Sequence, residues 1–131
     1  MPGLFAESHW SPALGVTDPH STENQVRLAE MLLNSMPLDR RFFLFVNISA
    51  MHQPNRYYVS GADLDSRETM TAALAYVDSW MPRLFDAMRR RGRSLAIVCS
   101  DHGTAYGEDG YCGHRLAHPT VLTVPYAEFL L

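Results

Sequence analysis

The chain has 131 residues, 47% of them hydrophobic and 19% charged, with a formal net charge of -3. That composition supports one soluble globular domain across residues 1–131, and the weak acidity gives no sign of nucleic-acid binding. No apolar run approaches the ~20 residues a membrane-spanning helix needs, the opening MPGLFAESHW lacks the plan of a signal peptide, and two cysteines without a framework pattern predict reduced thiols in the cytoplasm.

Residues 1–20 read as irregular, with Pro2, Pro12 and Pro19 among them. A helix is expected from Ser21 or Thr22, where Thr22 and Gln25 fit a capping box. Val26, Leu28, Ala29, Met31, Leu32 and Leu33 give it an apolar face, and Pro37 limits its end. Residues 42–48, FFLFVNI, form a continuous apolar run that reads as a strand buried on both faces, as in parallel sheets. A polar loop follows over 49–65. Ser66 is placed to cap a long helix over 67–91, with Met70, Ala73, Leu74, Val77, Met81, Leu84, Phe85 and Met88 at helical spacing and Pro82 expected to kink it. Gly92 stands at the C′ position. Residues 94–99 read as a second buried strand and 121–124 as a short third one. Strands separated by a helix predict an α/β fold with a mostly parallel or mixed sheet flanked by helices. In such sheets, sites form at the carboxyl ends of strands. His52 lies just past the first strand, and Asp101 and His102 just past the second.

A carboxylate and an imidazole on consecutive residues of a tight turn can reach one ion, and Gly103 would permit unusual backbone angles there. Mixed oxygen and nitrogen donors suit Zn²⁺ or Mn²⁺ better than Ca²⁺ or Mg²⁺. The plain alternative is that Asp101 caps a turn and His102 is merely exposed. His52 is either a donor to an anionic substrate or a loop histidine packed on Pro54 or Tyr57. His114 and His118 would share a face on a helix, but Gly113 and Pro119 argue against one. Arg115 could bind an oxyanion or be ordinary surface. Cys99, at a strand end, is expected to be buried and inert. Cys112 with His114 is a minority nucleophile reading. The arginine run over 89–93 offsets the helix dipole or, less simply, binds phosphate.

The run SDHGTAYGEDGYCGH, residues 100–114, resembles the C-terminal metal motif of the alkaline phosphatase superfamily, most closely its sulfatase-like branch. Gly107-Glu108-Asp109-Gly110, Gly113-His114 and Val124-Pro125 fall in step with that pattern. Tyr76, Val77 and Asp78 resemble the start of the family's long helix, and Met51-His52-Gln53-Pro54 its His-x-Pro segment. The likeness covers residues 42–126 and is similar to bacterial sulfatase-like hydrolases that share the GEDGYxGHRLAHP run.

The resemblance implies a hydrolase acting on a phosphate or sulfate ester. It implies Asp101 and His102 as metal ligands, His52 at the substrate anion, and His114 where a lysine often contacts a substrate oxygen. The histidine in place of lysine is a departure. His118 would line the same pocket. A larger departure is that the chain carries no Cys-x-Pro-x-Arg motif and no strand ending in aspartates ahead of a nucleophile. The expectation is therefore the C-terminal portion of a sulfatase-like hydrolase, inactive alone and weak in metal binding, since catalytic zinc sites use three protein ligands. Two other readings stand beside it. One is a non-catalytic module that binds an anion or a partner, or dimerises through an exposed sheet edge or apolar face. The other is a cysteine enzyme built on Cys112.

Overall fold

The computed structural model describes residues 4–131. The chain forms two compact units, Met1–Ala87 and Met88–Leu131.

In the first unit, helix α1 runs over Ser21–Ser35. The expected capping box does not form. His20 holds the N-cap position without a side-chain bond, its backbone N–H donating to Asp18 Oδ1 at 2.7 Å. Gln25 is drawn elsewhere: its amide donates to the carbonyls of Leu14 and Asn47, at 3.1 and 2.7 Å, and to Ser49 Oγ at 3.0 Å. One side chain thus ties α1 to the segments on either side of it. Val26, Ala29 and Leu33 are buried, as helical spacing requires, while Met31 is 58% exposed.

Residues 42–48 are not a strand. Their side chains alternate between more and less exposed, the period a strand would show, but no ladder forms on them among the described residues. Instead of being buried on both faces, Phe43 and Phe45 lie 79% and 61% exposed. Each stacks on Phe5, with ring centroids 5.9 and 6.0 Å apart.

Helix α2 spans Arg67–Arg89 and continues through Pro82. Its start is fixed by a reciprocal box: Thr69 N–H donates to Ser66 Oγ at 3.2 Å and Ser66 N–H to Thr69 Oγ1 at 2.8 Å. The Thr69 hydroxyl also donates to Oδ1 of the fully buried Asn55 at 2.6 Å. Asp65 accepts the backbone N–H groups of Asn55 and Arg56, both at 2.8 Å. This network satisfies a loop that would otherwise bury bare polar groups. Buried Ala73, Val77, Leu84 and Ala87 form the apolar stripe of α2. Toward α1, Arg83 pairs with Glu30 at 2.5 Å, Arg27 lies over the Trp80 ring, and the Tyr76 hydroxyl accepts from Glu23 N–H at 3.4 Å.

In the second unit, β1 (Leu95–Cys99) pairs antiparallel with β4 (Tyr126–Leu130), from Leu95 opposite Leu130 to Cys99 opposite Tyr126. Gly92, at a φ of +104°, makes the turn into β1. Between β1 and β4 lie β2 (Ala105–Tyr106), β3 (Cys112–Gly113) and the one-turn helix α3 (Pro119–Leu122). Strands β2 and β3 form a second antiparallel ladder. The fold is thus mixed α/β, and the parallel pairing expected from the strand–helix–strand order is not among its ladders.

Three expectations change in this unit. The third strand falls on Tyr126–Leu130 rather than 121–124, because Pro119 starts a helical turn and Pro125 must pass before a ladder can resume. Of β1 only Ala96 is buried; Leu95, Ile97, Val98 and Cys99 are exposed. The expectation of a buried, inert Cys99 changes with it.

Candidate functional site

Asp101 and His102 follow β1 directly, at a bend. The His102 N–H donates to Asp101 Oδ1 at 3.1 Å, and Ser100 Oγ donates to the His102 carbonyl at 2.7 Å. His102 Nδ1 lies 2.9 Å from the Gly103 carbonyl. A carbonyl can only accept, so Nδ1 carries the proton and Nε2 the lone pair. This is the arrangement by which metal-binding histidines are oriented. Nε2 stands 4.0 Å from Asp101 Oδ2. Two bonds of ~2.1 Å span at most ~4.2 Å, so the two atoms can touch one zinc-sized ion, with a modest closing of the pair toward the tetrahedral angle. The spacing of these two donors is compatible with one divalent ion. Among the described residues no group of three or more His, Cys, Asp or Glu side chains is placed to hold one. The Asp101 side chain is 92% exposed.

Gly103 serves the turn in a way other than expected. Its φ is not positive. A Cβ there would stand 2.0 Å from the Thr120 carbonyl oxygen, and the Gly103 N–H donates to the Val121 carbonyl at 2.9 Å. Glycine is needed because two backbone segments touch, which fastens the turn after β1 to α3.

The hairpin β2–β3 delivers His114. Its loop is set by Gly107, Gly110 and Gly113 at φ of +113°, +83° and +94°, with Asp109 left-handed at +51°. Glu108 accepts from Tyr106 N–H at 2.5 Å, and Gly107 N–H donates to the Tyr111 carbonyl at 2.8 Å. The His114 ring stacks on His102 at 4.5 Å between centroids and 20° between planes. His102 and His114, which flank the β2–β3 ladder in sequence, thus form one imidazole pair next to Asp101.

His118 is committed to structure. It is the N-cap of α3, and its Nδ1 accepts from Thr120 N–H at 3.2 Å. Nε2 must then carry the proton, which it donates to Asp109 Oδ2 at 3.0 Å. Its ring tilts against Tyr111. Asp109 and Glu108 were not singled out by residue type; the glycines flanking them at Gly107 and Gly110 are the sequence signal of a loop that needs such anchors. Arg115 and Cys112 are exposed.

His52 belongs to the first unit. It is exposed, ends the 3₁₀ turn Ser49–Met51, and its Nδ1 meets the Gln53 carbonyl at 2.6 Å. That again leaves the lone pair on Nε2.

Compared with known proteins, the chain matches no protein-family model, no curated protein and no solved structure.

Proposed function

We propose that the chain is the metal- and anion-binding part of a cytoplasmic sulfatase-like hydrolase that cleaves a phosphate or sulfate ester. The observation that carries the reading is His102: Nδ1–H is held by the Gly103 carbonyl, and Nε2 lies 4.0 Å from Asp101 Oδ2. The divalent ion, zinc or manganese, would polarise an ester oxygen when bound. Asp101 and His102 hold it. His114 donates to a substrate oxygen on which charge develops. Arg115 adds a cation for the anionic ester, and His118 keeps the loop in place. The nucleophile and the remaining ligands come from outside these residues.

The test is a zinc titration followed by ¹⁵N shifts of the imidazoles. His102 Nε2 should move first. His102→Ala should abolish the response, and Asp101→Asn should weaken affinity about tenfold or more. A titration that leaves His102 unmoved would sink the metal reading. A partner-binding module is the second reading, favoured by the exposure of Leu95, Ile97, Val98 and Leu130.

A further inference from the structure

We propose that His118 is a proton-sensitive latch: its neutral ring fastens α3 to the turn that carries His102, and a second ring proton releases it. The latch lies within the second unit and stands whether or not a metal binds.

The amides that open α3 show where the latch sits. Pro119 has no N–H to place. The Val121 and Leu122 N–H groups both donate to the His118 carbonyl, at 2.9 and 3.0 Å. Thr120 N–H is left for a side chain, and His118 Nδ1 accepts it at 3.2 Å. An N-cap is ordinarily an oxygen of Ser, Thr, Asp or Asn, which goes on accepting in mild acid. An imidazole nitrogen accepts only while it keeps its lone pair. Imidazoles gain their second ring proton between about pH 8 and 5.

The other ring nitrogen decides which bond gives way. Nε2–H donates to Asp109 Oδ2 at 3.0 Å, and that bond grows stronger when the ring becomes cationic. The ring therefore stays with Asp109 and turns an N–H toward the Thr120 N–H, two donors face to face. It has little room to swing elsewhere: the side chain is 11% exposed and leans on Tyr111. Asp109 and Tyr111, from the loop between β2 and β3, are the titratable groups that face the ring among the described residues. From α3 it meets only the Thr120 N–H, and Pro119–Leu122 carries no charged side chain.

What α3 holds gives the latch its reach. Gly103 N–H donates to the Val121 carbonyl at 2.9 Å, and the Thr120 carbonyl lies against Gly103 where a Cβ would be. The Gly103 carbonyl in turn accepts from His102 Nδ1. A proton on His118 thus strips α3 of its cap, loosens Gly103, and with it the carbonyl that orients the His102 ring.

The experiment is amide exchange at Thr120 and Gly103 in the full chain from about pH 8 to about pH 4. Each rate is divided by that of the unfolded chain at the same pH, and the His118 ring nitrogens are followed by their ¹⁵N shifts. EDTA is present throughout, so failure here leaves the metal reading untouched. Protection of both amides should fall about fivefold as His118 Nδ1 gains its proton, the worth of one cap. In His118→Asn, whose amide oxygen caps without titrating, Thr120 should stay protected across the range. Asp109→Asn keeps a residue that tolerates the left-handed backbone at φ +51°. It should move the loss to lower pH, because it removes the anion that favours the cationic ring. Thr120 protection that holds while the His118 ring titrates would overturn the proposal, as would a ring that gains no proton down to about pH 4. So would a curve that does not move in Asp109→Asn. An equal loss in His118→Asn would also overturn it, by placing the sensing proton on His102 or His114.

Discussion

Gly103 shows how far one missing atom can reach. The Thr120 carbonyl occupies the space a Cβ would need, so Gly103→Ala must push α3 away from the turn that carries His102. The cost should be that of overpacking, about 1–3 kcal/mol. Denaturant unfolding would measure it, and exchange of the Gly103 amide should quicken because its bond to Val121 is lost. An unchanged midpoint would show that the turn adapts freely. His118 teaches a related lesson. The family resemblance implies a place for it in the substrate pocket, but both ring nitrogens are used by Thr120 and Asp109. That tautomer could not be read from spacing, because it depends on a left-handed Asp109 nine positions earlier.

At the scale of elements, the helices and β1 were legible, while the other strand readings were not. Helix periodicity is a property of one segment, and α1 and α2 fall within a few residues of the expected spans. A strand is completed by a neighbour. Residues 42–48 keep a strand's alternation without a partner, and β4 takes up a segment whose exposed apolar side chains resembled no buried run. The cap of α2 was found at Ser66, yet its depth came from the loop: Asn55, fully buried, depends on the Thr69 hydroxyl. Thr69→Val should therefore lower stability by about 1–3 kcal/mol, the cost of taking the Thr69 donor from the buried Asn55 Oδ1. Thr71→Val, whose hydroxyl bonds only the exposed carbonyl of Arg67, should change it little. Equal midpoints for the two variants in thermal unfolding would refute the Asn55 role.

For the molecule as a whole, the site was legible as a constellation rather than as geometry. Asp101 and His102 were named from a motif, and the hairpin does bring His114 against His102. What pairs with that constellation depends on residues far apart in sequence, which spacing does not encode. One pH response belongs to the first unit. Tyr58 and Tyr76 stack with ring centroids 5.0 Å apart. Burial holds each phenol above its ordinary 10.0. A raised phenol contributes stability that is fully present below pH 10 and is lost as pH climbs through the folded-state value. The first unit should thus weaken in alkali above pH 10, and Tyr58→Phe or Tyr76→Phe should flatten that fall. Denaturation midpoints against pH would show it; identical slopes in wild type and variants would count against the burial.

The placement of Trp80 beneath Arg27 has a practical side. The chain's two tryptophans, Trp10 and Trp80, fall within Met1–Ala87, and its two cysteines, Cys99 and Cys112, fall within Met88–Leu131 with both thiols exposed. Indole emission therefore originates in the first unit, and a thiol-attached dye sits in the second. A single labelled sample carries one probe in each unit.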